Sequence, residues 1–154
     1  MIEDPSMLQS PDSGLIARLR ADAEPLRDSF AAAAADPRAF ASDFYDALFE
    51  LAPAIRGLFP EDLQSQREKF AQTLAIVVGF IEDPASLVGS LRQLGARHLA
   101  YGTEPQHYAP VGEALLRTVD ARTAGGLSPE ARQGWRRLYG WIVAEMLSGA
   151  RLAP

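Results

Sequence analysis

His98 lies on an apolar face of a predicted helix. Five residues of that face follow one another at spacings of four, three, four and three: Leu87, Leu91, Leu94, His98 and Tyr101. We predict that the helix opens with Pro84 at its first position and closes at Gly102. A histidine in such a stripe is either a core residue with satisfied nitrogens or a ligand of a metal or haem. Position along the chain makes His98 the leading candidate for a ligand.

Most other site chemistries lack the residues that they need. The chain has two histidines and no cysteine, which excludes disulfides, thiol catalysis and cysteine-ligated zinc or iron–sulfur sites. Glycine-rich phosphate loops, the H-E-x-x-H zinc pattern and the G-x-S-x-G nucleophile elbow are absent. His98 has no acid three or four residues away that would orient it as a general base. These absences argue against a hydrolase or a transferase.

Composition indicates one ordinary globular domain. The chain has 154 residues, of which 47% are hydrophobic and 23% charged, enough for a substantial core. A net charge of -5 argues against nucleic acid or an anionic membrane as the main partner. The N-terminus does not resemble a secretory signal, and no apolar run reaches the length of a membrane span. We therefore expect a cytoplasmic protein.

Helical periodicity and helix-start signals recur along the chain. Asp36-Pro37 and Ser128-Pro129 each pair a capping residue with proline at the first helical position. No alternating apolar run indicates a strand. We predict an all-α chain of six or seven helices, with residues 1–21 as a polar N-terminal extension and residues 22–150 as the domain.

Four unusual residues lie on separate predicted helices: Tyr45, Gln66, His98 and Tyr108. Gln66 is a polar position in an otherwise apolar row, and an unsatisfied buried amide costs about 1–3 kcal/mol. The set suits one arrangement, in which a flat apolar cofactor lies between the Gln66 helix and the His98 helix. His98 would then bind a metal from one side, with Tyr45 and Gln66 on the other.

Ordered motifs along the chain resemble bacterial single-domain globins, relatives of the haemoglobin domain of flavohaemoglobins. The motifs are Phe44-Tyr45-Asp46-Ala47-Leu48-Phe49, Pro53, Leu58-Phe59-Pro60, Gln66-Arg67-Glu68-Lys69-Phe70, Leu94-Gly95-Ala96-Arg97-His98, Tyr101-Gly102, Pro105-Gln106-His107-Tyr108-Ala109-Pro110-Val111-Gly112, Trp135 and Tyr139-Gly140. Fourteen residues separate Tyr45 from Phe59 and ten separate His98 from Tyr108, as in that family. The resemblance covers roughly residues 22–148 and implies a globin fold around a haem pocket.

The resemblance implies a role for each matching residue. His98 would be the proximal iron ligand of a haem b, with Tyr45 and Gln66 as the distal hydrogen-bonding pair. Phe59 would pack on the haem face, Lys69 would reach a propionate and His107 would be structural. Further cofactor contacts are implied for Phe44, Phe70, Leu94, Tyr108 and Val111.

One position departs from the family. Flavohaemoglobins have a glutamate late in the last helix that hydrogen-bonds the proximal histidine, and the corresponding position here is Ala150. Glu145 is nearby but out of register. Without that carboxylate we expect little peroxidase-like chemistry.

The resemblance and the distal pair together imply a gas-binding function. We expect oxygen to bind with high affinity, with nitric oxide and carbon monoxide as further ligands. Nitric oxide dioxygenation to nitrate is the expected activity, with electrons from a separate flavin-dependent reductase. Two alternatives stay open: oxygen storage without turnover, and a globin-fold sensor or interaction module.

Overall fold

Helices make up nearly all of the structure. The computed structural model describes residues 13–153. The α-helices are α1 (Ser13–Ala21), α2 (Ala23–Ala33), α3 (Pro37–Leu51), α4 (Gln64–Gly79), α5 (Val88–Ala100), α6 (Tyr108–Ala121) and α7 (Pro129–Leu152). Three short 3-10 helices connect them: Pro53–Leu58, Pro84–Leu87 and Pro105–His107. Residues 13–153 contain no strand, which confirms the all-α prediction and the number of helices.

Local side chains define several of these helix ends. The Asp36 carboxylate accepts a hydrogen bond from the backbone N–H of Ala39 at 3.2 Å, at the start of α3. The Ser128 hydroxyl accepts one from the N–H of Ala131 at 3.1 Å, at the start of α7. Each side chain satisfies an N–H that has no partner within its helix, so both predicted caps are confirmed.

The core lies where α2, α3, α6 and α7 meet. Its largest fully buried side chains include Leu19, Leu26, Phe40, Phe44, Leu48, Leu138 and Trp135. The indole N–H of Trp135 donates to the Ser29 hydroxyl at 2.8 Å, and that hydroxyl donates to the Pro25 carbonyl at 2.6 Å. The one polar atom of the tryptophan is therefore satisfied inside the core.

Two helix groups carry the predicted site residues. Helix α4 packs on α3 and α2, whereas α5 packs mainly on α7 and on the 3-10 turn before it. Helices α4 and α5 are not among the main packing pairs of residues 13–153. A flat cofactor can lie between the Gln66 helix and the His98 helix only if these two helices are not packed against each other.

The buried stripe predicted around His98 is wrong at its C-terminal end. Leu87 and Leu91 are buried and Leu94 and His98 are half-buried, but Tyr101 is 71% exposed. Helix α5 ends at Ala100, and the backbone then turns at Gly102 with a φ of +93°. Tyr101 therefore lies beyond the last helical turn and does not share the helical face.

The N-terminal extension is described only in part. Residues 1–12 lie outside the described residues. Residues 13–21 form α1, which packs on α2 and α7, and Leu19 is fully buried. Within residues 13–153, none of the helices is long and apolar enough to cross a membrane.

Candidate functional site

His98 is held as a neutral imidazole with one free nitrogen. Its Nδ1 lies 2.8 Å from the carbonyl oxygen of Leu94, one turn earlier in α5. A carbonyl only accepts, so Nδ1 carries the hydrogen and Nε2 keeps its lone pair. Burial lowers the pKa of His98 below its ordinary value of 6.5; the Leu94 hydrogen bond opposes this and the Arg97 charge adds to it. A neutral imidazole with a free Nε2 is suited to bind a metal.

A close crossing of α5 and α7 positions this histidine. A Cβ atom at Gly95 would lie 1.9 Å from the carbonyl oxygen of Met146, and one at Gly149 would lie 1.9 Å from that of Arg92. The two backbones are therefore in direct contact at two places one turn apart, with the helices running in opposite directions. The crossing is one turn from His98, so α7 fixes the backbone that carries the imidazole.

A buried ion pair joins the same two helices. The Nε of Arg92 in α5 lies 3.0 Å from Oε2 of Glu145 in α7, and the side chains are only 18% and 11% exposed. Glu145 was the only carboxylate that the sequence placed near the proximal position. The structure pairs it with Arg92, whereas the Nδ1 of His98 bonds to the Leu94 carbonyl.

An aromatic cluster on α3, α4 and the 3-10 turn between them brings the predicted distal residues together. The rings of Phe44 and Phe70 are stacked with centroids 4.0 Å apart and an interplanar angle of 12°. The Tyr45 ring meets those of Phe59 and Phe70 edge to face, at 5.6 and 5.8 Å. These contacts fix the Tyr45 ring within an apolar wall.

The phenol of Tyr45 is a protonated hydrogen-bond donor at neutral pH. Its side chain is only 3% exposed, and burial raises its pKa to about 12. A hydrogen bond with the Gln66 side chain and the positive charge of Arg67 act in the opposite direction. The side chain of Gln66, on the first turn of α4, therefore lies near enough to the Tyr45 hydroxyl to influence its pKa.

The remaining predicted residues have varied surroundings. Lys69 is exposed on α4, and Leu94 and Val111 are half-buried. Tyr108 is buried at the start of α6, and its carbonyl accepts a hydrogen bond from the Tyr139 hydroxyl at 2.5 Å. Burial raises the pKa of Tyr108. His107 accepts the backbone N–H of Glu104 through Nδ1 at 2.9 Å, which caps the short helix before α6.

Apolar surface is exposed near the end of α5. Leu58, Leu99 and Tyr101 are 40%, 50% and 71% exposed. A Cβ atom at Gly102 would lie 3.9 Å from the Leu58 side chain, so the turn after α3 meets the end of α5. With a free Nε2 on α5 and the Tyr45–Gln66 pair by α4, the residues fit a flat apolar cofactor that carries a metal.

Sequence reasoning missed three features of this region. The Gly95 and Gly149 crossing had a signal, since glycine inside a helix is costly and indicates a close backbone approach. The Arg92–Glu145 pair joins residues 53 positions apart and had no local signal. The third feature is the Nε of Arg67, which is buried without a hydrogen-bond partner. It had no local signal either, because the surroundings of Arg67 depend on how α4 packs.

Known proteins match the chain over most of its length. The sequence profile of the family described as Globin matches residues 42–146. The flavohemoprotein of Bacillus subtilis (strain 168) is 27% identical over 109 residues, which are 69% of this chain and 27% of that protein. The neuroglobin of Tetraodon nigroviridis is 31% identical over 119 residues, which are 68% of this chain and 75% of that protein. The chain thus spans about a quarter of the flavohemoprotein's length.

Solved structures share the fold. Ferric myoglobin of Aplysia limacina superposes with a TM-score of 0.76 at 20% identity, covering 84% of this chain and 96% of that one. A bacterial globin from Campylobacter jejuni has a TM-score of 0.73 at 17% identity, covering 85% and 95%. A hexacoordinated heme protein from an anhydrobiotic tardigrade has a TM-score of 0.75 at 13% identity, covering 97% and 99%. Since the family profile spans more than half of the residues and the fold agrees, the chain belongs to the globin family.

Proposed function

We propose that the chain binds haem b, with His98 as the proximal ligand of the iron. The neutral imidazole and its free Nε2 support this role. The family supports it too, since its relatives include proteins named as a myoglobin and a heme protein. The haem supplies reversible binding of small gases at its iron. Apolar contacts with the haem would come from Phe44, Phe59, Phe70, Leu94, Tyr108 and Val111, and Lys69 would reach a propionate.

We further propose that the pocket binds oxygen with high affinity. The observation that carries this proposal is the buried Tyr45 phenol beside Gln66. Because the pKa of Tyr45 is about 12, its hydroxyl stays a donor throughout the physiological range. Hydrogen bonds to a partly charged ligand contribute about 1.5–3 kcal/mol, and 1.4 kcal/mol is tenfold in an equilibrium constant. A single such hydrogen bond, as from Tyr45, therefore slows oxygen release by about tenfold to 150-fold.

The release rate of oxygen tests this role of Tyr45. Wild type, Tyr45→Phe and the exposed control Tyr101→Phe are loaded with haem, and their absorption spectra establish loading and gas binding. Stopped-flow measurement should show oxygen leaving Tyr45→Phe at least tenfold faster than wild type. Tyr101→Phe should match wild type. Equal rates for Tyr45→Phe and wild type would refute the high-affinity proposal, and His98→Ala with an unchanged spectrum would refute the ligand assignment.

The activity that we propose for this pocket is nitric oxide dioxygenation. Nitric oxide, oxygen and one electron balance to one nitrate ion, so each turnover needs an electron donor. The similarity to a flavohemoprotein supports a flavin-dependent reductase as that donor. Carbon monoxide competes with oxygen for the same site.

Nitrate yield distinguishes this activity from oxygen storage. The oxygenated protein, mixed with one equivalent of nitric oxide, should give one nitrate per haem. Continued turnover should appear only when a flavin reductase and its reduced nicotinamide are added. A protein that binds oxygen but yields no nitrate would be a storage globin, and the dioxygenase proposal would fail.

A further inference from the structure

Arg56 binds the backbone of the segment that follows the Pro53–Leu58 turn. Its Nη1 donates to the carbonyl oxygens of Phe59 and Pro60 at 3.3 and 3.0 Å, and its Nη2 donates to that of Glu61 at 3.0 Å. The N–H of Phe59 in turn donates to the Arg56 carbonyl at 3.2 Å. Two separate hydrogen bonds therefore join Arg56 to Phe59, and three consecutive carbonyls share one guanidinium.

The guanidinium of Arg56 is committed to the backbone and not to an acid. Although Glu61 and Asp62 are close in sequence, no carboxylate of residues 13–153 forms an ion pair with it. A guanidinium is planar and presents its N–H groups in a fixed fork, so it can hold several carbonyl oxygens in one geometry. Arg56 therefore fixes the path of the backbone from Phe59 to Glu61.

The same guanidinium lies over the ring of Phe49. Its Cζ is 5.2 Å from the ring centroid, which is within the range of a cation–π contact. The rings of Tyr45, Phe49 and Phe59 contact one another in all three pairs. The centroids are 5.9 Å apart for Tyr45 and Phe49, 5.7 Å for Phe49 and Phe59, and 5.6 Å for Tyr45 and Phe59. Arg56 thus contacts two members of this triangle of rings, and Tyr45 is the third.

We propose that Arg56 is a positioning residue of the gas-binding pocket, which directs the Tyr45 hydroxyl by holding Phe49 and Phe59 against the Tyr45 ring. The inference rests on the proposed function and deepens it, since it names the group that keeps the oxygen-binding phenol in place. A hydrogen bond weakens steeply when its donor turns away from the acceptor, so a small tilt of the ring reduces its strength. Groups that bind a ligand need such support to stay within about 0.5 Å of their productive positions.

Oxygen release and the carbon monoxide spectrum of the haem-loaded protein test the role of Arg56. Oxygen should leave Arg56→Gln about threefold to tenfold faster than wild type, because the Tyr45 hydrogen bond is misaligned but not removed. The infrared stretching band of bound carbon monoxide reports on the donor beside it, and it should shift toward its position in Tyr45→Phe. A release rate and a band that both equal those of wild type would overturn the proposal, even if Arg56→Gln melts at a lower temperature. The role of Arg56 would then be structural only.

Two further variants separate the geometry of the guanidinium from its charge. Arg136 is exposed on α7, a helix that carries none of the contacts of Arg56, so Arg136→Gln makes the same change in net charge elsewhere and should match wild type. Arg56→Lys keeps the charge but has one nitrogen in place of the fork, so most of the difference from wild type should remain. Equal changes in Arg136→Gln and Arg56→Gln overturn the proposal, and so does full restoration by Arg56→Lys. Where Arg56→Gln does not fold, Arg56→Lys carries the same test, and release at the wild-type rate overturns the proposal.

The unloaded chain separates this inference from the function beneath it. A wild-type chain that takes up no haem contradicts the proposed function. The contacts among the three rings are then measured by nuclear Overhauser effects in the chain without haem. The cross-peaks between the Tyr45 and Phe59 rings should be equally strong in wild type and Arg136→Gln and should lose intensity in Arg56→Gln. Equal intensities in all three overturn the positioning role of Arg56.

Discussion

An alanine at Gly95 is expected to push α5 away from α7. The new methyl carbon would lie 1.9 Å from the Met146 carbonyl oxygen, whereas ordinary contacts begin near 3.4 Å. The obstacle is backbone, so no rotamer change relieves it. The two helices must separate locally by about 1.5 Å, and the same holds for Gly149 against Arg92.

The expected cost follows from overpacking. Methyl groups forced into well-packed interiors cost about 1–3 kcal/mol, and a backbone obstacle belongs at the upper end. We expect Gly95→Ala to lower the free energy of unfolding by about 3 kcal/mol. For a chain of this size each kcal/mol lowers the melting temperature by about 2–4 °C, giving a fall of roughly 6–12 °C. Gly149→Ala should cost about as much.

The double variant tests the mechanism itself. Once one alanine has separated the helices, the second meets less resistance, so the paired cost should fall short of the sum by at least about 1 kcal/mol. Urea unfolding of both single variants and the double variant measures this coupling. Additive costs would contradict a shared displacement of α5 from α7.

Two glycines in the same helices serve as controls. A Cβ atom at Gly89 in α5 or at Gly140 in α7 would meet nothing within 4 Å. Gly89→Ala and Gly140→Ala should therefore be neutral or stabilise by up to about 1 kcal/mol through helix propensity. Equal destabilisation at Gly89 and Gly95 would refute the close crossing as the cause. Because His98 is one turn from Gly95, the Gly95→Ala variant should also retain haem less well.

Three further outcomes follow from single groups. Burial raises the pKa of Tyr45 from 10 to about 12, so the contribution of the protonated phenol to the free energy of unfolding is intact below pH 10 and is lost as the pH rises to 12. Tyr45→Phe should remove up to about 3 kcal/mol of that alkaline loss, as measured by urea unfolding. Arg92→Leu strands the Glu145 carboxylate and should cost about 3–5 kcal/mol, whereas the double leucine variant should recover most of it, and no recovery would contradict a mutual pair. Ser128→Ala should cost about 1 kcal/mol and Ser128→Asp almost nothing, read from melting temperatures.

Local chemistry explains why helix starts were predictable. A cap such as Asp36 or Ser128 acts on an N–H three residues away, so its whole mechanism lies within four residues. The same locality explains the error at Tyr101. In the sequence, the helical spacing of the apolar residues continues past Ala100 to Tyr101. In the structure, the positive φ of Gly102 ends the helix. Periodicity alone does not show where a helix stops.

Contacts between distant segments were predictable only in part. The resemblance implied that Tyr45, Phe59 and Phe70 line one pocket, and the structure places their rings together. The ion pair of Arg92 with Glu145 depends on how α5 and α7 are rotated about their axes. Helical spacing places a residue on a face but leaves open which charged side chain of another helix meets it. Helix packing determines that pairing. The sequence therefore predicts which residues belong to the candidate site, and the tertiary structure determines which partners they meet.

The two sides of the pocket favour holding a polar ligand over cleaving one. Under the proposed function, the Nδ1 hydrogen of His98 goes to the Leu94 carbonyl, a weaker acceptor than a carboxylate. Arg92 neutralises Glu145, so the buried carboxylate of α7 adds little electron density to the imidazole. On the other side, Tyr45 presents a donor at neutral pH. Donors retain a ligand that gains negative charge, and a weak proximal push does little to break its internal bond. Slow oxygen release and nitrate formation depend on retention of the ligand by these donors. The weak proximal push contributes to neither.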